Sequence, residues 1–177
     1  MQYNLLRFWF LLDPKNEILL SRARDLFKEF PNRESLLLYL EIVCTNNLVV
    51  NGKEIVLAHG DFLDEAERLM YYAKFSMYEN GYTLCKSVMD TYCIDEFIAA
   101  AIIECCVNTG HIKNAISYTE KIKSTEDSEA LFEKVFENLE VSTECRKNII
   151  DVYSSIIPPI ELCCYFGCES HNIDWID

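Results

Sequence analysis

The residues best suited to chemistry lie near the end of the chain, at positions 163–171. Three thiols and an imidazole fall within nine residues there: Cys163, Cys164, Cys168 and His171. Thiolate and imidazole are ligands that zinc prefers, and Gly167 would allow a tight turn around an ion. The spacing is not Cys-x-x-Cys, so a site would need a further ligand such as Cys145 or His59. The competing interpretation is an apolar helical turn after Pro159. We therefore assign no metal or cofactor and keep zinc as a candidate.

Other groups that catalysis uses are scarce. The three histidines are His59, His111 and His171, and none of the five glycines lies within six residues of another, so a glycine-rich phosphate loop is absent. Neither a Gly-x-Ser-x-Gly nucleophile elbow nor a Glu-x-x-His pair occurs in the sequence. A histidine could meet a cysteine only through the fold. The sequence therefore predicts no catalytic residue and a protein that is not an enzyme.

The net charge of the 177 residues is −13, and it is unevenly distributed. Residues 1–60 carry seven acidic and seven basic side chains, whereas residues 61–140 carry sixteen acidic and seven basic ones. An acidic surface repels phosphate backbones and anionic lipid, which disfavours generic nucleic-acid or membrane binding. The local exception is a basic cluster in the neutral first third: Arg22, Arg24, Lys28 and Arg33. This cluster is either an RNA-binding face or an ordinary solvated helix surface.

The cysteines indicate a reducing compartment. There are nine of them, an odd number, and several occupy apolar positions of helical patterns. Residues 1–12 are apolar, but Arg7 interrupts them and no small-residue cleavage site follows, so we expect no signal peptide. No stretch approaches the length of a membrane span. We expect reduced, buried thiols in a cytoplasmic protein, with a nuclear location as the alternative.

Helical periodicity dominates the chain, which has only five glycines and four prolines. The pattern predicts eight or nine helices with short connections and antiparallel neighbours. Residues 2–12 are apolar nearly all round and are predicted to be buried. Further helices are predicted at about 14–30, 32–44, 61–80, 83–92, 96–108, 111–123, 128–139 and 143–157.

The ends of these helices are predicted from capping residues and breakers. Asp13-Pro14 predicts a helix start with Asp13 as the N-cap, and Asn32 and Asp95 predict two more. Asn80-Gly81 predicts a helix end. Asn51-Gly52, flanked by β-branched runs, predicts a small β-hairpin at about 48–57.

The acidic segment at 173–177 contains Trp175 and Ile176, which are suited to an interface because Trp buries a large rigid surface. These residues either pack onto the body of the protein or dock onto a partner as a short linear motif.

The run Gly110-His111-Ile112-Lys113-Asn114-Ala115-Ile116 resembles the start of the second helix of a tetratricopeptide repeat, or of the related pentatricopeptide type. Ala99 and Ile102 stand where the first helix of such a repeat places packing residues, whereas Cys106 replaces the usual large aromatic. Residues 23–31, ARDLFKEFP, are similar to the ending of a half-a-tetratricopeptide repeat of RNA-processing factors. The resemblance covers about a third of the chain. It implies stacked helix pairs that bind other macromolecules and rarely catalyse.

We therefore expect an all-α protein of antiparallel helix pairs, arranged as an α-solenoid or an irregular bundle. Residues 1–177 form a single helical-repeat-like domain, with 160–177 as a tail. The leading hypothesis is a non-enzymatic adaptor that binds a protein partner or large complex with a basic surface. The alternative is a ribosome- or RNP-associated factor that contacts RNA through the basic cluster. A third hypothesis is a small zinc-stabilised protein.

Overall fold

The computed structural model describes residues 2–123, and every regular element in that range is helical. The predicted all-α fold class is confirmed. The predicted helices at 128–139 and 143–157, and the tail at 160–177, lie outside the described residues. The elements are α1 Gln2–Leu12, α2 Glu17–Glu29, α3 Arg33–Thr45, α4 Val49–His59, a 3₁₀ turn Gly60–Phe62, α5 Glu65–Lys74, α6 Tyr78–Thr91, α7 Glu96–Asn108 and α8 Ile112–Lys123.

The chain divides into two compact units, Met1–Met77 and Tyr78–Asp177. The N-terminal unit holds α1 to α5. The C-terminal unit holds α6 to α8 within the described residues. Because a compact unit is defined by contacts and not by independent folding, the single domain at 1–177 stays a prediction.

In the N-terminal unit, α3 lies at the centre and buries two faces. One face, with Leu38 and Ile42, packs against Leu19 and Ala23 of α2 and Leu6 of α1. The other face, with Leu36, Leu40 and Val43, packs against residues of α2, α4 and α5. A helix that is apolar on both sides can join two layers of a core, because each face is buried against a different neighbour.

In the C-terminal unit, α7 packs against both α6 and α8. Every residue from Ile98 to Val107 is buried, apart from the half-buried Glu104. The break predicted between the helices at 96–108 and 111–123 is confirmed: α7 ends at Asn108, α8 begins at Ile112, and Gly110 takes a left-handed φ of 76°.

Helices α3, α5 and α7 begin with an Asx cap, as α2 also does. The side chains of Asn32, Asp64 and Asp95 accept hydrogen bonds from backbone N–H groups in the first turns of α3, α5 and α7, at 2.8–3.0 Å. Such caps satisfy donors that the helix itself leaves unpaired. Asn32 and Asp95 were predicted as caps, whereas Asp64 was not. The start predicted for α5, at Gly60-Asp61, is instead the 3₁₀ turn.

The same three helices also end alike. Asn47, Ser76 and Gly110 take left-handed φ values of 54°, 53° and 76°. The next residue in each case donates its N–H to a carbonyl five residues back: Leu48 to Val43, Met77 to Tyr72 and His111 to Cys106, at 2.7–3.1 Å. This is the pattern of a Schellman helix end.

These caps and left-handed residues recur at similar spacing along the described chain. The N-caps of α3, α5 and α7 lie 32 and 31 residues apart and the left-handed residues lie 29 and 34 residues apart, whereas the cap of α2 at Asn16 falls outside this spacing. Periods of this length are typical of helical-repeat proteins.

The predicted β-hairpin at 48–57 is wrong, because these residues belong to α4. The turn chemistry lies earlier, at Asn46 and Asn47, where Asn46 Nδ2 donates to the carbonyl of Ile42 at 2.8 Å. Gly52 lies inside the helix. Its backbone is so close to the ring of Phe75 that a Cβ atom there would overlap the ring. Asn-Gly therefore serves helix packing here and not a hairpin.

Two further predicted boundaries are wrong. Asp13 is not the N-cap of α2: Asn16 caps it by accepting the N–H of Ile18 at 3.0 Å, and Asp13 Oδ2 accepts a hydrogen bond from Asn16 Nδ2. Asn80-Gly81 does not end a helix, since both residues lie within α6, and Ser76 makes the break instead. In both places a nearby residue sets the helix boundary: Asn16 caps the start of α2, and Ser76 separates α5 from α6.

Candidate partner-binding surfaces

Helix α1 has a wide apolar surface exposed to solvent. Leu6 is buried on its inner side, and Tyr3 and Phe10 pack there against the N-terminal core. The other large side chains are 49–73 % exposed, and we call them the α1 apolar face: Leu5, Phe8, Trp9, Leu11 and Leu12. The prediction that this helix is buried all round is therefore wrong. The helix meets α2 and α3 on one flank, and these neighbours cannot cover both sides of it.

The α1 apolar face carries no charge. Arg7 is the only charged residue of the helix, and its guanidinium donates to the hydroxyl of Tyr3 at 3.1 Å. This hydrogen bond, with smaller contributions from Glu41 and Glu34, raises the pKa of Arg7. The only cationic side chain of α1 therefore hydrogen-bonds to Tyr3 within the same helix.

An open groove of about 330 Å³ lies where the start of α1 faces the junction of α2 and α3. None of the histidines or cysteines of the described residues lines it. Its apolar and polar groups suit contact with another chain more than proton transfer. The residues around it are Gln2, Tyr3, Leu26, Phe30, Asn32, Glu34 and Ser35.

The basic cluster predicted from the sequence does not form one continuous basic face on α2. Arg24 and Lys28 lie one turn apart, but Arg22 lies about 160° away around the helix. The acidic residues Asp25 and Glu29 occupy the arc between them, and Asp25 Oδ1 lies 3.8 Å from Arg24 Nε. All three basic side chains are exposed. An RNA phosphate at this surface would also meet the intervening carboxylates.

Arg33, the fourth member of the cluster, forms an ion pair within the protein. Its Nε and Nη2 donate to the two carboxylate oxygens of Glu67 at 3.0 and 2.5 Å, and Asp64 lies 3.9 Å away. These hydrogen bonds raise the pKa of Arg33. Glu67 also completes the capping box of α5. Arg33 therefore joins the start of α3 to the start of α5, and this pair restricts its use in binding phosphate.

Two of the three histidines lie within the described residues, and both contact other groups than thiols. The ring of His59 packs edge-on against Phe27, with centroids 4.9 Å apart. His111 stacks on Tyr82 at 3.8 Å, and its Nδ1 shares a hydrogen bond with the Thr109 hydroxyl at 2.9 Å. Across residues 2–123 neither ring forms a hydrogen bond with a cysteine.

Three thiols converge in the interior of the C-terminal unit, where Cys85, Cys105 and Cys106 are fully buried. Cys85 donates to the carbonyl oxygens of Gly81 and Ile102 at 3.6 and 3.8 Å. A hydrogen bond with Cys85 and burial raise the pKa of Cys106, and burial raises the pKa of Cys105. Protonated thiols of this kind are poor nucleophiles and act as small apolar residues.

Within the described part of the chain, no cluster of three or more histidine, cysteine or acidic side chains is arranged to hold a metal ion. The zinc candidates Cys163, Cys164, Cys168 and His171 lie outside the described residues, and so do Trp175 and Ile176.

The acidic region of the sequence, residues 61–140, includes residues that the structure describes and residues beyond position 123. Residues 61–123 carry ten acidic and six basic side chains, and residues 124–140 carry six acidic and one basic.

The fold is all-α, and among residues 2–123 the largest group of exposed apolar side chains in one element is the α1 apolar face. None of the described helices has the length and apolarity that crossing a membrane requires. No protein-family model matches the chain, and no curated protein or solved structure matches it significantly. The resemblance to tetratricopeptide-like repeats therefore stays a prediction.

Proposed function

We propose that this protein is a non-enzymatic helical-repeat adaptor of the cytoplasm, and that it binds a protein partner through the α1 apolar face. The exposure of that face is the observation that carries the proposal. Five large apolar side chains in one helix form a contiguous patch, and patches of several hundred Å² mark interaction sites on soluble proteins. Trp is among the residue types that contribute most to binding energy, and both Trp and Phe are enriched in the cores of interfaces.

The recurring helix caps support the helical-repeat part of this proposal. The Asx N-caps of α3, α5 and α7 and the left-handed residues that end these helices recur at 29–34 residues, which is the length of known helical repeats. Proteins of that architecture present extended surfaces to partners. The raised thiol pKa values and the placement of His59 and His111 offer no nucleophile–base pair within the described residues.

The test is affinity purification of the tagged protein from its native cell, with nuclease-treated and untreated halves analysed by mass spectrometry. The variant Phe8→Glu places a charge at the centre of the α1 apolar face and is expected to release the partner. The matched control is Leu57→Glu, at a leucine that is 63 % exposed on α4, and this variant is expected to retain the partner.

Two outcomes would contradict the proposal. If both variants retain the same co-purifying proteins, the α1 apolar face is not the binding site. If the co-purifying proteins are ribosomal or RNA-processing factors that disappear after nuclease treatment, the RNP alternative holds. In that case the complex should also dissociate steeply with salt, and substitution of Arg22, Arg24 and Lys28 should weaken it.

A further inference from the structure

We propose that the partner of the α1 apolar face is a second copy of this chain, so that two α1 helices pair in antiparallel orientation about a twofold axis. The inference rests on the proposed function, since it names the protein that this face binds. In stacked helical arrays an outward helix needs a polar outer surface for solubility, whereas an apolar one is covered by another helical layer.

The spacing along α1 makes its stripe complementary to itself. Leu5, Phe8, Trp9 and Leu12 stand at i, i+3, i+4 and i+7 and fall within about 100° of the helix surface. These positions are symmetric about the midpoint between Phe8 and Trp9. In an antiparallel pair, Leu5 therefore faces Leu12 of the other copy, and Phe8 faces Trp9 in both directions. A twofold interface requires this reciprocal pairing.

Electrostatics favour contact between copies at this face. The whole chain has a net charge of −13, which opposes self-association elsewhere, but residues 1–60 carry equal numbers of acidic and basic side chains. The α1 apolar face itself contains no ionisable group, so pairing buries no charge and brings no like charges together.

The area is sufficient for a modest dimer. The four residues of the stripe, which are 49–68 % exposed, give roughly 500 Å² of accessible surface per copy. Complete pairing of two such stripes removes roughly 1,000 Å², which is the size of a weak specific interface. The aromatic pairs at the centre add edge or stacking contacts beyond the area alone. We therefore expect a dimer that dissociates on dilution.

Two other occupants fit less well. A helix that lies on a membrane carries a fringe of Lys and Arg around its apolar face, whereas α1 has only Arg7 and the chain as a whole repels anionic lipid. A partner with a basic surface would be attracted to the acidic residues beyond position 60 and has no electrostatic reason to choose this neutral face.

The first test is sedimentation velocity of the purified full chain over a wide range of concentration. The wild type is expected to approach twice the 20.6 kDa of one chain as concentration rises. Phe8→Glu and Leu12→Glu are each expected to remain monomeric, while Leu57→Glu should dimerise like the wild type. Circular dichroism confirms that each variant is folded. A wild-type protein that stays monomeric throughout, or dimers in all variants, overturns the proposal.

The second test uses Trp9 as a reporter. The chain has two tryptophans, so Trp175→Phe leaves Trp9 as the only one. Its emission should shift to shorter wavelength with rising concentration, in parallel with the mass. If emission is already at short wavelength while the mass is that of one chain, another segment of the same chain covers α1. If the monomer co-sediments with phosphatidylcholine–phosphatidylserine vesicles and Phe8→Glu does not, lipid is the occupant.

The two proposals fail in different ways. A monomeric protein whose co-purifying partner is lost in Phe8→Glu but retained in Leu57→Glu overturns the dimer and leaves the adaptor function intact. A dimer that is lost in Phe8→Glu, with no other protein affected by the variant, supports the pairing and restricts the binding function of the α1 apolar face to self-association.

Discussion

The ring of Phe75 occupies the space that a side chain at Gly52 would need, and this contact fixes how α4 meets the end of α5. Phe75 is almost fully buried and belongs to the larger of the two core clusters of the N-terminal unit. Gly52 lies within the regular α-helix α4, so glycine is needed at this position for its small size and not for an unusual backbone conformation. A single atom of side chain therefore decides whether the two helices can approach.

We expect Gly52→Ala to lower the free energy of unfolding by roughly 1–3 kcal/mol, because overpacking a buried contact costs more than the gain in helix propensity returns. Denaturant titration followed by circular dichroism measures the change. Gly60→Ala is the matched control. Its Cβ would lie 3.2 Å from Cδ of Arg68, a flexible side chain that can move aside. Equal stabilities of the two variants would show that the Gly52 contact is not tight.

At the scale of elements, the clearest regularity among the described residues lies at the ends of the helices and not in their interiors. The helices α3, α5 and α7 each begin at an Asx cap and end at a left-handed residue, and in α3–α4 and α7–α8 the next helix folds back onto the one before it. Asn and Gly accept the left-handed conformation readily, whereas Ser76 does so at some cost. The break between Phe75 and Tyr78 is accordingly the least favourable of the three in local conformation.

Replacing Ser76 by glycine should therefore raise the free energy of unfolding, by up to about 1 kcal/mol, since glycine removes the Cβ penalty of a positive φ. The hydrogen bond from Lys53 Nζ to the carbonyl of residue 76 involves the backbone and is retained. Ser76→Ala is the control and should not stabilise, because alanine carries the same penalty. Thermal unfolding of the three proteins decides the matter. Stabilisation by alanine as well would locate the effect in the serine hydroxyl.

At the scale of the whole molecule, buried thiols link stability to pH. Burial raises the pKa of Cys44 to about 11, and the pKa values of Cys105 and Cys106 are raised as well. Below about pH 7.5, a unit under the ordinary thiol pKa, both folded and unfolded chains keep most of these protons. As pH rises from there towards 11, the unfolded chain releases them first, so the free energy of unfolding falls.

We expect each such thiol to contribute up to about 1.4 kcal/mol per pH unit to this loss, under reducing conditions. Urea titrations between pH 8 and pH 11 measure the slope. Cys44→Ser should make the slope shallower, because it removes one partly buried ionisable group whose pKa is raised. Cys93→Ser, at an exposed cysteine, should leave the slope unchanged. Identical slopes in all three proteins would exclude Cys44 as a source of the effect.

The sequence by itself determined the helical class, most of the helices and several of their caps. Apolar spacing is a local property, and so are the Asn32 and Asp95 caps and the turn at Gly110, so each can be predicted from a few neighbouring residues. The structure places α1, α3, α7 and α8 close to their predicted positions. The same local reasoning predicted buried thiols, and Cys85, Cys105 and Cys106 are buried, whereas Cys93 is exposed.

Tertiary structure decided the rest. Asn51-Gly52 predicted a hairpin because the same dipeptide serves a turn and a close helix contact, and only Phe75, 23 residues further on, distinguishes them. The apolar α1 was predicted to be buried, but burial depends on how many neighbours surround a helix, and α2 and α3 cover one flank. Likewise, the four basic residues of the cluster are close in sequence but do not form one surface. Arg22 lies on a different side of α2 from Arg24 and Lys28, and Arg33 forms an ion pair with Glu67. Local patterns specify what a segment can become, whereas its packing partners, distant in sequence, determine which surface it leaves exposed.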